Sequence, residues 1–138
     1  MGLILDTCVF LEAALEHKPI DYTQWQRFGN AYMCATSVSD LLVGVQMAKT
    51  ATLSIKRSTY VEAILARISV LPYTEKVART HAKLYAMLVK REEIVISHDL
   101  IVAATALTYD YAIVTKDVDN FNKISGLKII SYETLEVK

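Results

Sequence analysis

The sequence carries four aspartates at positions suited to chemistry. Asp6 and Asp117 each stand just past a short apolar run of the kind that forms a buried strand. Asp40 and Asp99 each lie in the opening turns of a predicted helix. Four unpaired carboxylates brought close together would repel one another and raise each other's pKa. A hard divalent cation such as Mg²⁺ removes that conflict, because it prefers oxygen ligands.

A metal held by carboxylates would give these residues a definite reaction class. One or two such ions can polarise a phosphodiester, lower the pKa of a bound water and stabilise the leaving oxygen. No His or Cys cluster has the spacing of a zinc site. Taken singly, each aspartate has an ordinary explanation as a turn former, a solvated helix residue or a favourable charge at a helix N-terminus. Their joint placement is what favours a metal-dependent site.

Polar neighbours of these aspartates are the predicted substrate-binding residues. Thr7 and Thr115 stand beside the two strand ends, where a hydroxyl could orient a carboxylate or a water, or bond to the backbone. Lys116 is the cation that we expect to contact phosphate, together with Lys56 or Arg57 on another helix. We expect His98 and Asp119 to be solvent-exposed turn residues.

Short apolar runs alternate with helical patterns and predict the elements that position the site. The predicted strands are 2–5, 31–35, 69–71, 112–114 and 127–130, and a helical pattern or helix start lies between most of them. Helices are predicted over 9–15 and 50–68 and after the N-cap candidates Thr36 or Ser37, Thr74 and Ser97. Residues 21–28 are ambiguous, and 132–138 form a short tail.

This alternation predicts a parallel sheet with helices on both faces and right-handed crossovers. Ligand sites in such sheets lie beyond the carboxyl ends of the strands. A helix that precedes a strand begins at that same edge, so Asp99 is expected there with Asp6, Asp40 and Asp117. We therefore predict these four aspartates as the catalytic and metal-binding residues.

Length and composition narrow the remaining possibilities. A chain of 138 residues fits one domain with its own core, which we place at 1–138. Lys plus Arg and Asp plus Glu both number 15, so a nucleic-acid partner must be held by a local patch. No apolar run spans about 18 residues and no basic leader precedes the first strand, which predicts no membrane segment or signal peptide. Two cysteines, expected to be reduced, suit the cytoplasm.

The ordered set of motifs resembles the PIN domain, in particular the VapC-type ribonuclease toxins of bacterial toxin–antitoxin pairs. The matching segments are LDT at 5–7, SDLLVG at 39–44, DLIVAATA at 99–106 and VTKDVDNF at 114–121. The resemblance implies a five-stranded parallel α/β/α sandwich and RNA cleavage that depends on Mg²⁺ or Mn²⁺. It also implies a toxin homodimer and a cognate antitoxin protein whose tail occupies a groove near the site. The acidic positions of the family correspond here to Asp6, Asp40, Asp99 and Asp117.

Three positions depart from the family pattern. Asp40 stands where glutamate is usual, which shortens the side chain by about one covalent bond of 1.5 Å. Cys8 replaces a small polar residue, and Asn120 stands where many relatives carry an acid, although the neighbouring Asp119 offers one.

Our leading hypothesis is a metal-dependent endoribonuclease. These departures motivate an alternative, a non-catalytic PIN-like module that binds RNA or a protein partner. A phosphatase with a nucleophilic aspartate after the first strand would need a second acid at position 8, where Cys8 stands. A dinucleotide-binding protein would need a glycine-rich turn after that strand, and none is present.

Overall fold

A five-stranded parallel sheet runs through the centre of the computed structural model, which describes residues 1–132. The predicted tail at 132–138 lies outside the described residues apart from its first position. The strands are β1 (Gly2–Leu5), β2 (Asn30–Cys34), β3 (Ser69–Leu71), β4 (Ala112–Thr115) and β5 (Ile129–Ser131). Their order across the sheet is β3-β2-β1-β4-β5, and every neighbouring pair is parallel. The predicted fold class is therefore confirmed.

Helices cover both faces of the sheet. They are α1 (Thr7–Glu16), α2 (Ala35–Gln46), α3 (Ala51–Leu65), α4 (Glu75–Lys90), α5 (Ser97–Tyr109) and α6 (Val118–Phe121). A 3-10 helix over Tyr22–Phe28 forms in the stretch that the sequence left ambiguous, and it buries Trp25.

The core divides into two layers because β1 is the central strand and is buried on both sides. Ile4 packs with α4 and α5, whereas Leu3 and Leu5 pack with α1, α2 and α3. This two-sided burial explains why β1 reads as a continuous apolar run and not as an alternating one.

One predicted helix cap, Thr74, is confirmed, and Thr50 at the predicted start of α3 caps its helix in the same way. Thr50 accepts a hydrogen bond from Leu53 N at 3.1 Å, and Thr74 accepts one from Val77 N at 3.2 Å. Both threonines have extended backbones and stand directly before their helices. These starts could be predicted because a loop precedes each helix, which leaves the first backbone N–H groups in need of a side-chain acceptor.

The other predicted caps are wrong, because these helices begin earlier. Cys34, the last residue of β2, is the N-cap of α2, so Thr36 and Ser37 lie inside the first turn. Ile96 is the N-cap of α5, and Ser97 is its first helical residue. Neither N-cap makes a side-chain bond to its helix. The sequence signal failed at Thr36 and Ser37 because the strand runs into the helix without a loop.

The helices of residues 1–132 are each too short or too polar to cross a membrane.

Candidate metal and nuclease site

Asp6 forms the buried centre of the site at the carboxyl ends of β1 and β4. The strands are neighbours, and Asp6 N donates to Val114 O at 2.9 Å. The side chain is only 4% exposed. Its Oδ1 accepts from Thr7 N at 2.9 Å, which makes Asp6 the N-cap of α1. Its Oδ2 accepts from Thr115 Oγ1 at 2.8 Å. Both carboxylate oxygens are thus fixed in direction by the protein.

Thr115 links the two aspartates that follow the strands. Its side chain is fully buried, and its hydroxyl donates to Asp6 while it accepts from Asp117 N at 3.0 Å. A hydroxyl enclosed in this way orients a carboxylate, and its burial leaves no surface for direct contact with a substrate. Asp117 itself is exposed just beyond β4, where its backbone caps α6.

Asp40 reaches the site from α2 and is held by two other side chains. Its Oδ1 lies 2.8 Å from His98 Nδ1, and its Oδ2 accepts from Thr7 Oγ1 at 3.3 Å. Thr7 Oγ1 is also 2.7 Å from the hydroxyl of the fully buried Ser37. Thr7, like Thr115, therefore uses its hydroxyl to orient a carboxylate.

Asp99 occupies the first turn of α5 and faces the other acids. Asn120 Nδ2, from α6, donates to Asp99 Oδ2 at 2.8 Å. Burial and then the negative charges of Asp6 and Asp117 raise the pKa of Asp99 to about 6, with Asp40 adding a smaller effect and His98 opposing it. The structure therefore brings all four predicted aspartates close enough to act on one another.

Burial raises the pKa of Asp6 as well. Hydrogen bonds from Thr115, Thr7 and Cys8 oppose that shift, while the charge of Asp117 adds to it. Burial and, to a smaller extent, repulsion between carboxylates therefore disfavour the charged form of Asp6, and the surrounding hydrogen bonds only partly offset these effects.

The donor set fits a hard cation in its chemistry. All four acids offer carboxylate oxygens, which Mg²⁺ and Mn²⁺ prefer, and a cation among them would offset their repulsion. As the side chains stand, however, no three His, Cys, Asp or Glu residues within 1–132 converge closely enough to enclose an ion. The carboxylate oxygens of Asp6, Asp40 and Asp99 instead face protein donors as the side chains stand.

The predicted phosphate-binding cations lie in two places. Lys116 pairs with Glu12 of α1, and its Nζ lies 5.2 Å from the centre of the Tyr132 ring. The bond to Glu12 raises the pKa of Lys116. Lys56 and Arg57 border an apolar groove of about 390 Å³ between α1, α2 and α3. Arg57 Nη1 donates to Gly44 O at 2.7 Å there.

Three residues of the site were not identified from the sequence. The sequence predicts an exposed turn residue at His98, yet His98 pairs with Asp40 while half of its side chain stays exposed. The sequence indicates a helix cap at Ser37, and it marks Asn120 only as a departure from the family pattern. The available signal was their proximity in sequence to the site acids, since each lies within three residues of one. Asp119 is exposed, and Cys8 and Cys34 are free thiols, as predicted.

Comparison with known proteins identifies the family. A family model described as the PIN domain matches residues 3–127. Ribonuclease VapC1 from Rickettsia felis is 31% identical over 131 residues, which cover 95% of this chain and 96% of the relative. Ribonuclease VapC from Rickettsia bellii shows the same identity over the same shares.

Solved structures share the fold. A crystal structure of VapBC2 from Rickettsia felis bound to a promoter DNA fragment matches with a TM-score of 0.85 at 19% identity, covering 96% of this chain and all of that one. VapBC-5 from Mycobacterium tuberculosis matches with a TM-score of 0.70 at 26% identity, covering 96% of this chain and 98% of that one. The chain therefore belongs to the PIN domain family and, within that family, to the VapC type.

Proposed function

We propose that this chain is a metal-dependent endoribonuclease that hydrolyses RNA phosphodiester bonds as the toxin of a type II toxin–antitoxin pair. The observation that carries the proposal is the placement of four aspartates at one edge of the sheet, where burial and then the charges of Asp6 and Asp117 raise the pKa of Asp99 to about 6. Two relatives named as VapC ribonucleases, each matched over 95% of this chain, support RNA as the substrate.

In this proposal Asp6, Asp99 and Asp117 hold Mg²⁺ or Mn²⁺, and Asp40 acts directly or through a water. The ion, when bound, supplies activation of a water and stabilisation of charge on the phosphate oxygens. Thr115 and Thr7 keep the Asp6 and Asp40 carboxylates in fixed directions. Attack of water on phosphorus breaks the bond to O3′, which leaves a 3′-hydroxyl on one fragment and a 5′-phosphate on the other.

The substrate is held by positive charge close to the acids. We assign phosphate contact to Lys116, which follows the β4 strand end and precedes Asp117. Its ion pair with Glu12 would have to open, or turn outward, when a phosphate binds. A local cation is needed because the chain has no net positive charge.

The proposal includes an antitoxin protein and a toxin homodimer in the cytoplasm. Two of the similar solved structures are VapBC, from Rickettsia felis and Salmonella typhimurium, each bound to DNA, which supports a protein partner. The apolar groove between α1, α2 and α3, bordered by Lys56 and Arg57, suits an apolar segment that carries acidic side chains. The two free thiols suit a reducing compartment.

A second candidate function is a PIN-like module that binds RNA or protein without cleaving it. It is favoured by the short Asp40 side chain and by the lack, within 1–132, of three acids that enclose an ion as they stand. Titration with Mn²⁺ separates the two candidates, because only the nuclease requires binding of the ion by the folded chain.

The direct test is cleavage of total RNA by the purified chain. We expect cleavage with Mg²⁺ or Mn²⁺, none with EDTA, and recovery when the metal is restored in excess. The Asp6→Asn variant, matched in size but lacking the charge, should be folded and inactive. Equal cleavage by Asp6→Asn, or cleavage that persists in EDTA, would rule out the proposed mechanism.

A further inference from the structure

The Asp40 carboxylate is held by the protein on both of its oxygens. His98 Nδ1 lies 2.8 Å from Oδ1, and Thr7 Oγ1 donates to Oδ2 at 3.3 Å. Because Thr7 uses its one hydrogen for Asp40, the neighbouring Ser37 hydroxyl supplies the hydrogen in the 2.7 Å bond between them. Thr7, which is held by the fully buried Ser37, thus anchors one oxygen of the carboxylate, and His98 anchors the other.

We propose, on the basis of the nuclease function proposed above, that His98 is a positioning residue that fixes the direction of the short Asp40 carboxylate in the site. It holds Oδ1 while Thr7 holds Oδ2, so the two bonds together set the orientation of the carboxylate. The role belongs to this chain because it depends on aspartate at position 40 and histidine at position 98.

The role of His98 does not depend on its charge. The carboxylate accepts the bond, so Nδ1 carries a hydrogen whether the ring is neutral or protonated. An asparagine side chain places an N–H close to the position of Nδ1, whereas the longer glutamine places its amide nearer to Nε2. His98→Asn should therefore preserve the bond to Asp40, and His98→Gln and His98→Ala should lose it.

Kinetics with these variants test the positioning role. With a fluorescent RNA oligomer that the parent protein cuts, His98→Ala and His98→Gln should lower kcat by about 10- to 100-fold, the usual cost of losing an outer-sphere partner. KM should remain unchanged, and His98→Asn should restore most of kcat. If His98→Asn is as slow as His98→Ala, or if the loss falls on KM, His98 does not act by holding Asp40.

Mn²⁺ calorimetry supplies the second readout. His98→Ala should bind Mn²⁺ within about threefold of the parent, because it removes none of the four carboxylates, whereas Asp6→Asn should lose at least about tenfold in affinity. Loss of Mn²⁺ binding in His98→Ala equal to that in Asp6→Asn would show that His98 acts on the ion and not by holding Asp40, and would overturn the inference. Failure of the folded parent to bind Mn²⁺ or to cut RNA would instead overturn the proposed function.

Discussion

The site has two halves that are built in different ways. The strand side consists of Asp6, Thr115 and Asp117, which follow β1 and β4 and are joined by one buried hydroxyl. The helix side consists of Asp40 and Asp99 with their partners His98 and Asn120, which come from α2, α5 and α6. The strand side is locked by neighbours in the sheet, whereas the helix side is held by side chains that reach between helices.

This difference separates bonds enclosed by the sheet from bonds that are partly open to solvent. Parallel strands fix the spacing of Asp6 and Thr115 to that of the sheet, so the strand side is set once the fold forms. Each acid on the helix side accepts a bond from a partially exposed partner, His98 or Asn120, and these bonds lie between helices and not within the sheet. We expect substitutions on the strand side to affect both stability and cleavage, and substitutions on the helix side to affect cleavage alone.

Among the substitutions that test the two halves, Thr115→Val should have the largest effect on stability and cleavage. The change keeps the shape of the buried side chain but removes the hydroxyl that joins Asp6 to the backbone of Asp117. The free energy of unfolding should fall by about 1–3 kcal/mol, because Asp6 and the Asp117 N–H lose their partner. Cleavage should fall by about 10- to 100-fold.

Urea unfolding and initial cleavage rates measure the two effects. Thr108→Val is the matched control, because Thr108 Oγ1 bonds to Thr80 and Ala104 O near the other end of α5. That variant should keep its cleavage rate. If Thr115→Val cleaves RNA as fast as Thr108→Val does, the strand side does not depend on this hydroxyl.

On the helix side, Asn120→Ala should have a smaller effect. It removes the 2.8 Å bond to Asp99 but leaves the sheet intact. We expect a loss of cleavage of about tenfold, near the lower end for an outer-sphere partner, with the melting temperature nearly unchanged. The exposed neighbour Asp119→Ala provides the control and should retain full cleavage. A large fall in melting temperature for Asn120→Ala would contradict the division into two halves.

The smallest expected effect is a dependence of stability on pH. Asp99 has a pKa of about 6 in the folded chain against an ordinary value of 3.8, so between these values the folded state binds more protons than the unfolded state. The free energy of unfolding of the metal-free protein should therefore fall as pH rises from about 4 to about 6. The Asp99→Asn variant has no carboxyl group at this position and should lack this part of the pH dependence.

The measurement is the difference in melting temperature between parent and Asp99→Asn across that range in EDTA. The parent should lose stability relative to the variant as pH rises to about 6, and the difference should be constant above about pH 7. A parent that gains stability relative to the variant over the same range would show that burial and neighbouring charges do not act on Asp99 as described.

The two halves also differ in how far the sequence predicts them. The fold and the strand side follow from local signals, since a short apolar run that stops at Asp6 or Thr115 marks both a buried strand and its carboxyl end. All five strands were placed, with shifts of up to two residues at their ends. The predicted convergence of the acids required only that the strands be parallel and that α5 begin at the same edge.

The partners on the helix side had no such signal. The bond between His98 and Asp40 joins residues on two helices, and it depends on side-chain directions that no local pattern encodes. Ser37 was misassigned for a related reason, because its hydroxyl resembles a helix cap in sequence but bonds to Thr7 across the site. Contacts between elements that are distant in the chain require the folded structure.

The central claim is that the four aspartates support hydrolysis of RNA by water, and the ends of the products test it most directly. Mass spectrometry of the fragments from a cleaved RNA oligomer should show 5′-phosphate and 3′-hydroxyl ends, formed only when Mg²⁺ or Mn²⁺ is present. Fragments with 2′,3′-cyclic phosphate and 5′-hydroxyl ends, formed equally in EDTA, would mean that the ribose 2′-hydroxyl is the nucleophile and would contradict the account.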